Sequence, residues 1–258
     1  METILRERKD GLLILRLNRP EKYNSFNREM ALALQQALAD ASTNNEIRCV
    51  MIIGMGKAFS AGQDLGEVTG SNPMPFSKIL KEHYNPIITY IRNLNKPVVA
   101  AINGVAAGAG ANIALCCDVV IASEHASFIQ AFSKIGLVPD SGGTYFLPRL
   151  IGFQKASALA MTGDKITAKE AEQLGLIYKV IAADSFESEA MHIAQNLANM
   201  PTRGLALTKQ ALNESMNNSL DAQLMLEDKL QLLAAQTKDY QEGVNAFIEK
   251  RSPSFKGE

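Results

Sequence analysis

Tryptophan is missing from this chain, and cysteine and histidine are scarce, at three residues each. Cys49, Cys116 and Cys117 are odd in number, two are adjacent and none forms a CxxC pair, so neither a disulfide framework nor a zinc knuckle is supported. His83, His125 and His192 lie far apart without metal-ligand spacing, and there is no Gly-x-Ser-x-Gly elbow. A metal site and a hydrolase triad are therefore not expected. Charge of one sign is also lacking: 26 Lys and Arg stand against 27 Asp and Glu, a net charge of -1. That balance leaves no electrostatic footprint for nucleic acid or an anionic membrane. No uncharged apolar run approaches the ~20 residues of a membrane-spanning helix, and the opening METILRERKD lacks the apolar stretch of a signal peptide. The expectation is a soluble, unexported, cytoplasmic protein with no nucleic-acid or membrane partner.

What is present is a long aliphatic chain, 258 residues with 47 % hydrophobic and 6 % aromatic residues, enough to bury a full core of closely packed helices and strands. Leu12 to Asn18, Arg48 to Gly54 and Pro97 to Asn103 are short apolar runs bounded by Gly, Pro or Asn, and read as buried strands. Asn24 and Ser25 offer capping oxygens to a helix over Glu29 to Ala41. Strand and helix signals alternate for roughly the first 180 residues, which predicts an α/β region with largely parallel pairing. From Ser185 onward the pattern is helical, over Ala190 to Asn199, Thr202 to Met216, Leu220 to Gln236 and Asp239 to Lys250. Gly66 to Phe76, rich in Gly, Ser, Asn and Pro, reads as a surface loop within the α/β part.

Four glycine-bearing turns stand out: Lys57 to Leu65, Asn103 to Asn112, Gly136 to Thr144 and Thr162 to Asp164. Gly108-Ala-Gly110-Ala-Asn-Ile113 lacks the third glycine of a dinucleotide fingerprint, and Gly56-Lys57 lacks the flanking residues of a phosphate-binding loop. Small residues entering a helix leave backbone N–H groups unpaired and uncovered, where an oxyanion can approach. The same residues at 105 to 111 would equally let a helix pack tightly on a strand. Asp140 sits in an otherwise uncharged segment, Gly136-Leu-Val-Pro-Asp140-Ser-Gly-Gly-Thr144, with two readings: a carboxylate of chemical use, or the N-cap of a helix beginning near Thr144. Asp64 and Asp118 read as turn and capping residues.

The ordered motifs Asn18-Arg-Pro, Phe59-Ser-Ala-Gly-Gln-Asp-Leu65, Lys96-Pro-Val-Val-Ala-Ala-Ile-Asn-Gly104, Gly108-Ala-Gly110, Cys117-Asp118, Gly142-Gly-Thr144 and Leu147-Pro-Arg149 resemble those of the crotonase (enoyl-CoA hydratase/isomerase) family. The resemblance runs to Gly243-Val-Asn-Ala-Phe247 and Lys250-Arg251. It implies a crotonase-like ββα spiral over residues 1–195 that carries an acyl-CoA site, and a C-terminal helical trimerisation region over residues 196–258. A homotrimer or dimer of trimers, an acyl-CoA thioester as substrate and no separate cofactor follow from it, since CoA enters as part of the substrate. Backbone N–H groups of Gln63 and Ala109 would hold the thioester oxygen. Ala61, Gln63, Asp64, Leu65, Gly108, Asn112 and Phe132 would contact substrate or CoA.

The resemblance is uneven in a useful way. The two water-positioning glutamates of the hydratases match Asn112 and Phe132 here, which disfavours hydration. Asp140 stands where hydratases have glycine, and where several isomerases and the aroyl-CoA dehalogenases have aspartate, which makes it the candidate base. Burial beside Phe132, Leu137 and Val138 would raise its pKa toward operating pH. Arg19 to Asn27, Tyr84-Asn-Pro86 and Ala131 to Asp140 look most like the branch of the family that isomerises 1,2-epoxyphenylacetyl-CoA to oxepin-CoA in phenylacetate breakdown. A Δ3,Δ2-enoyl-CoA isomerase is the alternative, followed by a hydratase or a non-catalytic binding protein of the same fold.

Overall fold

Asp10 and Gly11, with φ of 45° and 81°, join β1 (Ile4–Lys9) to an antiparallel β2 (Leu12–Leu17). Consecutive positive φ values give a hairpin turn whose twist matches that of its strands. Only β2 is expected from the apolar pattern; β1 is a charged edge strand, exposed after its first two residues, and carries no buried run to mark it. The computed structural model describes residues 2–69 and 73–258. In α1 (Arg28–Thr43) the N-cap is Asn27, whose side chain accepts the Met30 N–H at 2.9 Å. The caps expected from sequence, Asn24 and Ser25, lie upstream, and the Asn24 amide instead donates to the Met55 and Ala58 carbonyls at 2.8 Å.

A strand–strand–helix unit then repeats. Its first copy is β3 (Cys49–Gly54) and β4 (Ala58–Ser60), followed by α2 (Gly66–Thr69), α3 (Phe76–Ile79), a π-helical turn over Leu80–Tyr84 and α4 (Asn85–Asn93). The second is β5 (Val98–Ile102), β6 (Val105–Ala107) and α5 (Ala109–Leu115). The third is β7 (Val119–Ser123), β8 (Ser127–Ile129), a 3-10 turn over Ala131–Ile135 and α6 (Gly143–Thr162). Next come β9 (Lys165–Thr167), α7 (Ala168–Gln173) and β10 (Lys179–Ile181), then α8 (Phe186–Asn199), α9 (Thr202–Ser215), α10 (Leu220–Ala235) and α11 (Lys238–Glu249). The segment expected to be a loop over Gly66–Phe76 thus contains α2 and the start of α3; its residues 70–72 lie outside the described residues.

Within each unit the first strand joins one sheet, of order β1-β2-β3-β5-β7-β10, and the second joins another, of order β4-β6-β8-β9. This is a ββα spiral, with parallel pairing throughout except at β1·β2 and β8·β9. Every residue of β3 and β5 is buried, as expected for parallel strands covered on both faces. One face meets α1 and α4 through Leu34, Leu38, Ile87 and Ile91. The other meets α8 through Phe186, Ala190, Ala194 and Ala198, a stripe spaced by four residues whose small side chains let the helix lie close to the sheet. The expected boundary at residues 195 and 196 therefore falls inside a helix that belongs to the core of the spiral.

Asp118, between α5 and β7, does more than turn the chain. Its carboxylate accepts the Val98 N–H at 2.9 Å, Lys209 Nζ at 2.7 Å and Arg92 Nη1 at 3.1 Å, tying α9 and α4 to the sheet. Cys49, Cys116 and Cys117 are free and buried. Among the described residues no helix is long and apolar enough to cross a membrane.

Candidate active site

Three loops meet because β4, β6 and β8 are parallel neighbours, and the chain leaves all three at the same sheet edge. The carboxyl ends of parallel strands are where such folds collect their ligand-binding loops. The loop after β4 carries Gln63, the one after β6 carries Ala109, and the one after β8 runs through Phe132 to Asp140. Together they border a cavity of about 410 Å³ lined by Gln63, Ala109, Phe132 and Asp140, with Tyr84 and Ile79 from the segment between α3 and α4.

Gln63 and Ala109 both line that space, and each amide is left out of local pairing for a different reason. Phe26 pairs with Gln63 as a parallel bridge, its own N–H bonding to the Gly62 carbonyl at 2.7 Å and its carbonyl accepting the Asp64 N–H at 2.8 Å. In that pattern the Gln63 N–H points away from Phe26. Ala109 opens α5, so its N–H has no partner within the helix. Gly62, at φ of 90°, lies so close to this second loop that a Cβ there would stand 2.9 Å from the Ala107 oxygen and 3.3 Å from the Ala109 nitrogen. Gly110 would place a Cβ 2.6 Å from the Ser60 side chain. The glycines thus serve both sequence readings: they allow close packing of α5 on β4, and that packing brings the two amides side by side.

Asp140 is half-buried on the cavity wall. It is not an N-cap: α6 begins at Gly143 after Gly142, and only the backbone carbonyl of Asp140 takes part, accepting the Gly143 N–H at 2.8 Å. Burial raises the pKa of its carboxyl group, and a hydrogen bond donated by Ser141 Oγ to Oδ1 at 2.8 Å partly offsets that rise. Phe132 is buried and lines the cavity with Leu137, whereas Val138 is 76 % exposed and faces away from it. The apolar wall therefore comes from Phe132, Leu137 and Ile79 rather than from Val138.

Of the expected substrate contacts, Ala61, Gln63, Leu65, Gly108 and Phe132 line the cavity, but Asp64 and Asn112 do not. The Asp64 carboxylate is engaged by Arg19 at 2.8 Å and by the Gly66 N–H at 3.0 Å. Asn112 is 1 % exposed, donating to the Asp140 carbonyl and accepting from Gln130, each at 2.8 Å.

Tyr84 is a site residue that sequence reading did not assign. Its hydroxyl donates to Gln63 Oε1 at 2.8 Å, and its ring packs edge-on against Phe26 at 6.0 Å. Burial and the nearby Asp140 carboxylate push its pKa well up, so it stays a donor. Pro86 explains where it sits. With no N–H, Pro86 leaves the Glu82 carbonyl without its helical donor, and the turn widens to the π form. Gln35 Nε2 donates instead to the Glu82 and His83 carbonyls at 2.7 and 2.9 Å. The usable signal was the Asn-Pro pair directly after Tyr84.

Two backbone amides and a carboxyl group whose pKa burial raises thus border one cavity, a set able to stabilise negative charge on an oxygen and to exchange a proton. Residues 7–258 match the family model described as enoyl-CoA hydratase/isomerase, and the chain belongs to that family. It is 45 % identical over 260 residues to the 1,2-epoxyphenylacetyl-CoA isomerase of Escherichia coli (strain K12), covering 100 % of this chain and 99 % of the relative. A probable enoyl-CoA hydratase of Rhodobacter capsulatus is 43 % identical, over 99 % of this chain and 98 % of that one. The crystal structure of an enoyl-CoA hydratase from Bacillus anthracis superposes with a TM-score of 0.92 at 34 % identity, covering 99 % and 100 % of the two chains.

Proposed function

We propose that this protein is an isomerase that moves a proton on an acyl-CoA thioester, with Asp140 as the base and the N–H groups of Gln63 and Ala109 as the oxyanion hole. The observation that carries the reading is the single cavity bordered by all three. Asp140 takes a proton from the carbon next to the thioester, and the two amides receive the negative charge on the oxygen. Each such donor is worth about 3 to 4 kcal/mol of barrier. Asp140 then returns the proton elsewhere on the conjugated system, so substrate and product have the same composition. CoA enters with the substrate, and no other cofactor takes part in these steps.

The substrate favoured here is 1,2-epoxyphenylacetyl-CoA. Electrons pushed from the enolate toward the ring assist opening of the epoxide and expansion to the seven-membered oxepin, and the proton returns to a ring carbon. The similarity to the Escherichia coli isomerase supports this choice, as does a cavity walled by Phe76, Phe132 and Tyr84 that suits a flat ring. With a 3-enoyl-CoA the same shuttle takes the proton from C2 and returns it to C4, moving the double bond to position 2; the second reading is this Δ3,Δ2-enoyl-CoA isomerase. Hydration lacks a second carboxylate: positions 112 and 132, which match the glutamates of the hydratases, are Asn112 and Phe132. Exposed Phe247 and Ile248 on α11, with Leu224 and Met225 on α10, supply apolar surface for a homotrimer or dimer of trimers. The expected compartment is the cytoplasm.

The test is Asp140→Asn assayed on both substrates, with CoA-ester binding measured alongside. Turnover should be abolished while binding persists. Near-normal isomerisation by this variant removes Asp140 from its role, and turnover of the 3-enoyl-CoA but not the epoxide by the parent enzyme selects the second reading.

A further inference from the structure

Asn112 occupies a place that matters to both halves of the site. It lies on α5 one turn after Ala109, on a helix whose residues are all buried and whose Gly110 rests against Ser60. From there its Nδ2 reaches the Asp140 carbonyl at 2.8 Å. The amide cannot turn round without losing a partner, because Gln130 Nε2 donates to its Oδ1 at 2.8 Å. One side chain therefore spans the gap between the helix that presents an oxyanion donor and the backbone that presents the base.

The backbone it holds is under strain. Ser141 and Gly142 have φ of 51° and 76°, and the Gly143 N–H closes the turn on the same Asp140 carbonyl at 2.8 Å. Two consecutive positive φ values describe a mirror-image turn that a serine adopts only when its surroundings impose it. Contact with Asn112 is intimate, since a Cβ at Gly143 would stand 2.3 Å from Nδ2. An amide is suited to this position because it offers an N–H to a carbonyl without setting a charge beside the base, whereas a carboxylate would oppose oxygen to oxygen.

We propose, building on the assignment of Asp140 as base, that Asn112 is a positioning residue that fixes Asp140 relative to the Gln63 and Ala109 amides. It touches no substrate, since it does not line the cavity. Its effect belongs to the proton-transfer step and not to binding.

The experiment compares Asn112→Ala and Asn112→Asp with the parent enzyme and with Asp140→Asn. It reads kcat and KM on an isomerisable acyl-CoA, and exchange of the acyl α-proton with deuterated solvent. Asn112→Asp keeps the volume and the Gln130 bond but loses the donor and sets a charge beside the base, so its pH profile is compared with that of Asn112→Ala, which adds no charge and should leave the acid limb in place. In both variants kcat and exchange should fall about tenfold to a hundredfold, as expected for a base misplaced by a fraction of an ångström to one ångström. KM should stay within about threefold, because uniform binding is untouched. Unchanged kcat per folded active site, or a raised KM with kcat intact, overturns the role of Asn112 while leaving Asp140 in place if Asp140→Asn is inactive. An active Asp140→Asn overturns both assignments together.

Discussion

Ser141 Oγ donates to Asp140 Oδ1 at 2.8 Å, so the residue that strains the turn also favours the ionised form of that carboxyl group. Burial acts in the opposite sense and outweighs it, leaving the Asp140 pKa above its ordinary value. Removing the hydroxyl with Ser141→Ala leaves burial unopposed and moves the pKa further up. The proposed base acts only when ionised, so the acid limb of the kcat/KM profile should shift to higher pH. A pH profile superimposable on that of the parent would show that this bond does not tune the base.

The same raised pKa sets a stability prediction. A carboxyl group whose pKa is higher when folded binds its proton more tightly in the folded state, so ionisation works against folding. That cost is absent below the ordinary carboxylate pKa and grows as pH rises through the raised value. Asp140→Asn should therefore raise the thermal midpoint at neutral and mildly alkaline pH, and the gain should vanish near about pH 4. Thermal unfolding across that range checks it, and a gain that instead grows toward acid would contradict the sign.

At Gly110 a methyl group would lie 2.6 Å from the Ser60 side chain and 2.7 Å from its carbonyl oxygen. Gly110→Ala must push α5 away from β4, and the Ala109 N–H moves with the first turn of that helix. The expected stability loss is about 1 to 3 kcal/mol, with a fall in kcat/KM of about tenfold or more as one donor of the proposed oxyanion hole is misplaced. Urea unfolding and steady-state kinetics measure the two effects separately.

Tyr84→Phe removes the donor to Gln63 Oε1 and keeps the ring on Phe26. The Gln63 side chain retains its bond to Glu67 at 3.0 Å, so the loop should loosen without collapsing. A loss of about 1 kcal/mol, near fivefold in kcat/KM, is expected. Kinetics on the CoA ester with a measured melting curve would show whether the hydroxyl serves the site or only the fold.

Lys209 is buried against Asp118 with its ammonium group on the Ile91 and Lys96 carbonyls at 2.6 and 3.3 Å. Burial draws its pKa down and Asp118 resists that. Lys209→Met should destabilise the protein by about 3 kcal/mol, the low end for breaking a buried pair, because Arg92 still faces Asp118. Chemical denaturation gives the number, and the acyl-CoA site should keep its kcat.

Much of the fold was legible in local pattern. β2, β3 and β5 are buried on both faces and read directly as apolar runs, and α9, α10 and α11 begin and end within two residues of where helical spacing put them. β1 was not legible, because an exposed edge strand carries no hydrophobic signature. The site was legible as motifs more than as geometry. Gln63, Ala109 and Asp140 are separated by tens of residues, and sequence spacing alone left Asp140 open to a capping role.

Residue types and their order were enough to specify an α/β region with largely parallel strands, the two small-residue turns and the presence of one carboxylate in an uncharged segment, while the spiral itself came from the family resemblance. Tertiary structure alone decided that Asp140 lines the cavity while Asp64 is held by Arg19, that Asn112 grips backbone and lies off the cavity lining, and that Tyr84 braces Gln63. The physical reason is range: periodicity and capping act over a few residues, whereas a hydrogen bond's direction depends on which distant strands lie side by side.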